Sequence, residues 1–416
     1  MWFKNQGLSD KGRIIFLIAL LILFAFSTIF LASNLMLEWD EGSFLTNAQH
    51  FQEPGYNFES GRPALISIIV SILWSFTGES VLAARAVSVF FGALTLIIFY
   101  KVCQHFFEKP LLPTFFLGLS PIFLLWSSRI MTDIPALTMF LSAYLAFLKK
   151  KHLLAGVLIS ITATFRYVFG VLAVAFFLAY VFDKNKGVTD TSSFVLGGFL
   201  GALPFFIYST MYYNSFLGKM ILYTTQVSEW TGSGFLSSFN YNLEMMLKLL
   251  FPLLILGAYG IRESRLLDKF VLTVYTGFIL GFSGVSFYRY WLPIIPLLII
   301  IGYKKAPRQV FVALLSVFII TSGSLLVEQY SNAHRCQAEF EEAIGFVSEF
   351  DGTVVSSERW SISSFMLDNE VLSGWTTYEE LESYGADYIV TSERPEYELL
   401  KEVGCGRCRY FVYRTG

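Results

Sequence analysis

Charge is what this sequence has least of. Only 15% of its 416 residues are Asp, Glu, Lys or Arg, against about a quarter in soluble domains. A surface that poor in charge points to a protein embedded in lipid. The formal net charge of −2 shows no basic excess and so gives no nucleic-acid signature, and no nucleic-acid partner is expected. Four cysteines, Cys103, Cys336, Cys405 and Cys408, are too few for a disulfide scaffold. Four dispersed histidines, His50, His105, His152 and His334, disfavour a metal-dependent hydrolase. There is no P-loop, no HExxH and no GxSxG in a usable setting, so the common nucleotide and hydrolase motifs are missing. No repeat of solenoid period and no low-complexity tract occurs.

What is there is apolar length: 55% of residues are hydrophobic and 18% aromatic. The run 14–31 is long enough for one bilayer crossing, and the non-soluble sequence after it favours a retained anchor over a signal peptide. Further spans are expected at 81–100, 111–127, 134–148, 153–167, 168–182, 193–210, 245–261, 270–287, 290–303 and 309–327, making eleven. The segment 64–77 is apolar but short, and is expected to lie along the interface. Orientation follows from the loop lysines and arginines. With the N-terminus cytoplasmic, the clusters Lys149–Lys151, Lys184/Lys186 and Lys304/Lys305 all face the cytoplasm. Were 64–77 to cross, all of these would invert. The loop holding Asp40 is therefore expected outside the cytoplasm.

Residues 334–416 change character. Apolar runs shrink to strand length at 352–356, 386–391 and 409–413, with polar helix-like stretches at 338–349 and 377–384 between them. That alternation predicts a small α/β domain, extracytoplasmic by parity, after a membrane module over 1–333. Outside the cell, the Cys405-Gly-Arg-Cys408 segment favours a local disulfide over a reduced redox pair. A metal site there would need His334 and Cys336 as well.

The charges that remain are not scattered. Asp40, Glu41, Arg62, Arg85, Arg129, Asp133, Arg166 and Arg289 all fall at outer helix ends or in outer loops. Each taken alone fits an interfacial anchor or an ion pair between helices. Several on one face suggest a site. Asp40 and Glu41 are adjacent, so on a helix they point about 100° apart and take different jobs; a helix-cap pair is the plain alternative. Arg129 and Asp133 are spaced to share a helix face, and could equally neutralise each other. Arg166, followed by Tyr167, interrupts a long apolar run and marks an outer turn; Tyr288-Arg289-Tyr290 does the same later. Arginine between phenols suits a phosphate, or an aromatic belt. The outer loop 211–243, with Tyr212, Tyr213, Asn214, Gln226, Glu229 and Trp230, suits a sugar or headgroup as well as an interfacial helix.

Trp39-Asp40-Glu41-Gly42 just after the first span resembles the carboxylate signature of the GT-C fold glycosyltransferases. Within that class the pattern is similar to the group of protein O-mannosyltransferases and aminoarabinose transferases. Arg62-Pro63-Ala64-Leu65 leading to Phe76-Thr77-Gly78, the helix start Ala84-Arg85-Ala86-Val87-Ser88, and Ser128-Arg129 with Asp133 and Pro135 continue the resemblance in order over roughly residues 14–300. Ala64 stands where the group usually has a second proline. The WWDYG signature of oligosaccharyltransferases is absent, and the short tail resembles those of archaeal members more than a β-trefoil.

The resemblance implies an α-helical polytopic membrane protein with interfacial helices and a small soluble tail. It implies transfer of a monosaccharide from a polyprenyl (dolichyl) phosphate to a hydroxyl of a protein, lipid or glycan acceptor, with inversion. Asp40 is the implied general base, with Glu41 beside it. Arg62, Arg166 and Arg289, with Arg129 in reserve and Tyr167, Tyr288 and Tyr290 as donors, are implied at the phosphate, and Asp133 is a second carboxylate. No cofactor is implied; a divalent metal has no legible ligand set. A transporter or flippase of lipid-linked sugars is the alternative. It would place ionised groups near the bilayer midplane, whereas these gather at one face.

Overall fold

The computed structural model describes residues 10–54, 58–59, 61–215, 218, 235–282, 287–333, 337–356, 360–367, 371–373, 387–391, 398–405 and 408–414. The chain divides into two compact units: Met1–Ser33 with Arg85–Leu326, and Asn34–Ala84 with Val327–Gly416. The loop after the first span thus belongs with the C-terminal tail, a pairing that composition does not reveal.

The first unit is helical. Its elements include α1 (Asp10–Asn34), α4 (Val81–Phe106), α5 (Leu111–Gly118), α6 (Pro121–Ser127), α7 (Asp133–Leu148), α8 (His152–Phe165), α9 (Val171–Phe182) and α10 (Val188–Tyr213). They continue as α11 (Phe235–Gly260), α12 (Leu266–Phe270), α13 (Thr276–Phe282), α14 (Ile294–Lys305) and α15 (Arg308–Ala333), with the last residue of α1, the first turn of α4 and the end of α15 reaching the unit boundaries. Among the described residues, five of the eleven expected spans, those of α1, α4, α10, α11 and α15, are helices long and apolar enough to cross a membrane. The others fall on shorter or broken helices. The expected single span 111–127 is two helices, because Pro121 has no N–H to continue the ladder from α5 and instead starts α6 at its first position. Between α12 and α13 the helix widens into a π-helical segment, Val271–Tyr275.

Helix–helix contact inside lipid relies on close backbone approach, since burial of apolar surface supplies little. The pair α8 and α10 shows this. A β-carbon on Gly197 would strike the carbonyl of Leu153, one on Gly201 that of Val157, and one on Gly156 that of Phe194. Polar side chains tie other helices together. Thr138 Oγ1 of α7 lies 2.6 Å from Thr95 Oγ1 of α4 and donates to the Phe91 carbonyl at 3.0 Å. Buried Arg85 donates at 2.6 Å to the Ala32 carbonyl in the last turn of α1, satisfying a group that the helix itself cannot.

The second unit holds α2 (Trp39–Gln52), α3 (Leu65–Thr77), α16 (Gln337–Val347), α17 (Trp360–Met366) and a five-stranded sheet. The strands are β1 (Val354–Ser356), β2 (Val371–Ser373), β3 (Tyr388–Thr391), β4 (Glu398–Cys405) and β5 (Cys408–Arg414), in the order β2-β1-β3-β5-β4. β1 runs parallel to β2 and β3; β5 runs antiparallel to β3 and β4. Phe340, Ile344 and Val347 of α16 pack with Val354, Ile362, Val390, Val403 and Val412, and Leu37 joins them from the α1–α2 link. The α/β alternation expected of the tail is therefore present, with β2, β4 and α17 added to the predicted elements. The helix expected at 377–384 lies outside the described residues, as do His334 and Cys336. The backbone register pairs Cys405 with Cys408 across the β4–β5 hairpin.

Candidate functional site

Among the described residues, each unit carries a concentration of buried charge. In the second unit it is built on α2. The helix opens with Glu38 at its cap, and the Glu41 carboxylate reaches back to accept the Glu38 N–H at 3.1 Å, half of a capping box. Glu41 is fully buried. Asp40, its neighbour, points elsewhere: Oδ1 meets Arg62 Nη2 at 2.8 Å. Arg62 Nε meets Glu59 Oε1 at 2.9 Å. Glu59 is itself clamped, its carbonyl accepting from Asn47 Nδ2 at 3.0 Å and its N–H donating to Asn47 Oδ1 at 2.7 Å. Asn47 lies seven residues after Asp40, hence on the same face of α2. The chain therefore folds back along α2 and delivers the guanidinium of Arg62 to Asp40. Arg62, expected at a phosphate, pairs here with the carboxylate of Asp40. Asn47 and Glu59, which create that geometry, belong to no motif in the sequence. An amide seven residues beyond the acidic pair was the available signal.

The second concentration lies in the first unit, where the link 128–132 joins α6 to α7. Arg129 does not share a helix face with Asp133, as their spacing suggested. Residues 128–132 are not helical, and α7 begins at Asp133 with Pro135 in its first turn. Asp133 is fully buried. Its Oδ1 lies 3.4 Å from Arg166 Nε and its Oδ2 3.8 Å from Arg289 Nε. Neither oxygen accepts a hydrogen bond among the described residues, so ion contacts alone hold the carboxylate. Arg166 caps the C-terminal end of α8 and donates from Nη1 to Thr132 Oγ1 at 3.2 Å. Arg289 sits in the 3-10 turn Tyr288–Trp291, its Nη1 3.8 Å from Met131 Sδ. Arg129, Arg166 and Arg289 are all buried.

Aromatic rings hold the guanidiniums. Arg289 lies over Trp126 at 5.1 Å and over Phe287 at 4.7 Å; Arg166 lies over Tyr290 at 4.8 Å. Tyr290 is fixed in turn by its carbonyl, which accepts from Tyr275 Oη at 2.6 Å. Tyr288 shares the turn. Tyr167 follows Arg166 but packs its ring edge-on against Phe205 of α10. Trp126 carries no signature in the sequence. Its indole N–H, like that of Trp291, is buried and has no acceptor among the described residues, a cost rarely left standing in a folded protein. Among the described residues no three His, Cys, Asp or Glu side chains are grouped as a metal site would require.

The helical bundle and the small C-terminal α/β sheet have the GT-C fold, by likeness to solved structures. The chain is similar over 97% of its length, and 98% of the other's, to ArnT from Cupriavidus metallidurans bound to undecaprenyl phosphate, with a TM-score of 0.67 at 12% identity. It is similar over 91% of its length to the archaeal oligosaccharyltransferase AglB from Archaeoglobus fulgidus in complex with an inhibitory peptide and a dolichol-phosphate. That match covers 69% of AglB, with a TM-score of 0.57 at 13% identity. These likenesses are of fold. No family model matches the chain, and no curated protein matches its sequence.

Proposed function

We propose that this protein is a glycosyltransferase that moves a monosaccharide from a polyprenyl phosphate to a hydroxyl acceptor on the extracytoplasmic side of the cell membrane, with its N-terminus in the cytoplasm and α3 lying in the interface. The fold supports the class: ArnT is an aminoarabinose transferase and its structure carries undecaprenyl phosphate; AglB is an oligosaccharyltransferase with dolichol-phosphate. The observation that carries the reading is the set of buried arginines around Asp133. Guanidiniums are the side chains best shaped to meet phosphate oxygens, and Arg166 and Arg289 are held in place by rings and by Asp133. The indole N–H of Trp126, under Arg289, is a further donor for an anionic oxygen.

The chemistry follows from what each group can do. Asp40 takes the proton of the acceptor hydroxyl as general base. The acceptor oxygen forms a bond to the anomeric carbon on the face opposite the phosphate. The carbon–oxygen bond to phosphate breaks, and its electron pair leaves with the phosphate, so the configuration inverts. Arg129, Arg166 and Arg289 stabilise that developing charge, the effect that usually contributes most to catalysis. Arg62 is a positioning residue: it supplies the counter-charge of Asp40 and fixes its rotamer. Glu41 holds the first turn of α2. Because the sugar arrives on a lipid, no nucleotide cradle is needed, in agreement with the missing Gly-rich loop.

The test is Asp40→Asn, assayed for sugar transfer from a polyprenyl-phosphate donor. A shape-conserving loss of the base removes the general-base contribution, about 10²–10⁴-fold in rate. An unchanged rate would remove Asp40 from the mechanism.

A further inference from the structure

α8 and α9 are joined at Arg166–Gly170. Arg166 follows α8 and precedes α9, so the arginine cluster lies at the joined ends of these two helices. Their opposite ends carry Lys149–Lys151 before α8 and the turn 183–187 after α9. There a cavity of about 650 Å³ opens between α9 and α10. It is lined by Tyr180 of α9, by Lys186 of the turn, and by Thr191, Ser192, Leu196 and Phe199 of α10.

The α10 lining is ordered. Positions 188, 191, 192, 195, 196 and 199 are spaced by threes and fours and form one stripe of the helix. Val188 opens the stripe, Thr191 and Ser192 come next with their hydroxyls donating to the Gly187 and Thr189 carbonyls at 3.3 and 3.1 Å, and only apolar side chains follow. From 188 to 199 the stripe runs about 17 Å at the rise of an α-helix, close to one leaflet of a hydrocarbon core about 30 Å thick. Leu196 and Phe199 are 56% and 66% exposed within the chain. At the head of the stripe, Lys186 Nζ lies over the rings of Phe147 at 4.6 Å and Tyr180 at 5.3 Å. Burial lowers the Lys186 ammonium from its usual range, partly offset by Asp190 and Asp183. Asp190 is otherwise engaged, with Oδ1 3.3 Å from His152 Nε2 and Oδ2 accepting the Gly187 N–H at 3.1 Å.

We infer that this groove binds one anionic phospholipid, its phosphate at Lys186, Thr191 and Ser192 and an acyl chain along Leu196 and Phe199. The order of the lining suits such a lipid: the cation and hydroxyls lie toward the head of the stripe, and the apolar Val195, Leu196 and Phe199 follow over about 6 Å of the helix axis. Basic pockets between membrane helices at this kind of position recognise anionic headgroups. The lysines at 149–151 and 184 add long-range attraction. The site is independent of the arginine cluster and of the transfer reaction.

The full-length protein, purified and delipidated in detergent, is titrated with phosphatidylglycerol and with phosphatidylcholine of identical chains, and bound copies are counted by native mass spectrometry. One phosphatidylglycerol should be retained in preference to phosphatidylcholine. Lys186→Gln should weaken it about fivefold, the scale of one surface lysine, and Lys186→Arg should restore it. Leu196→Trp should give a similar loss by filling the track with the headgroup contacts intact. Lys248→Gln, on an exposed ion pair with Glu244 elsewhere, should change nothing. Lipid-free melting curves that match the parent exclude unfolding as the cause. Equal retention of both lipids, or undiminished phosphatidylglycerol binding in both Lys186→Gln and Leu196→Trp, would overturn the inference.

Discussion

Asp133→Asn separates the two jobs that a buried carboxylate among arginines can have. The wild-type side chain is fully buried, with Arg166 Nε at 3.4 Å and Arg289 Nε at 3.8 Å. At an effective dielectric near 20, each contact is worth roughly 4 kcal/mol of Coulomb attraction before desolvation is subtracted. Removing one partner of a buried ion pair costs about 3–5 kcal/mol in practice. Because neither carboxylate oxygen accepts a hydrogen bond among the described residues, we take the lower end, about 3 kcal/mol. At roughly 2 °C per kcal/mol for a large domain, the melting temperature falls by about 6 °C. A polyprenyl phosphate at a hundred times its Kd returns about 2.7 kcal/mol. If the arginines seat a phosphate, that gain is larger in Asp133→Asn than in the parent, because the carboxylate no longer draws on the same donors. The assay is the change in intrinsic tryptophan fluorescence on heating in detergent, with and without undecaprenyl phosphate. A ligand shift equal to or smaller than that of the parent would refute the phosphate assignment. A variant melting within about 1 °C of the parent would refute the energetic one.

Three further outcomes follow from the geometry. Gly197→Leu should destabilise the fold by about 3 kcal/mol or more, since its side chain meets a backbone carbonyl of α8 that cannot swing aside; a melting temperature equal to that of the parent would show that α8 and α10 are not in backbone contact. Glu41→Ala should cost about 1 kcal/mol through the lost cap and retain measurable transfer, whereas a loss as deep as that of Asp40→Asn would move Glu41 into the chemistry. Asn47→Ala should lower the transfer rate without altering donor affinity, because it frees the backbone at Glu59 that carries Arg62 to Asp40; a raised donor KM with an unchanged rate would instead put that segment at the phosphate.

The sequence made the bundle legible because lipid imposes a strict rule: every backbone group needs a partner, so apolar length reads directly as helix. It made charged positions legible for the complementary reason, that ionised groups near a bilayer are too costly to be accidental. What it could not supply was contact. Asp40 and Arg62 were both visible, yet their pairing depends on a chain reversal fixed by Asn47 and Glu59, two polar residues with no periodic signature. Arg129 and Asp133 had helical spacing, but α7 starts only at Asp133, so the spacing carried no shared face. Trp126 looked like one more apolar residue in a predicted span; only burial with an unsatisfied N–H distinguishes it. Gly197 and Gly201 stand four apart, a spacing that lets membrane helices approach closely, and the order of residues alone is enough to reveal it.

The shortness of three neighbouring helices has a consequence for the bilayer itself. α7, α8 and α9 contain 16, 14 and 12 residues, or about 24, 21 and 18 Å at 1.5 Å per residue. A typical hydrocarbon core is about 30 Å thick. A helix shorter than the core is accommodated by thinning of the bilayer or by flanking side chains that reach to the interface, and because α7 is buried along most of its length, any such mismatch falls on α8 and α9.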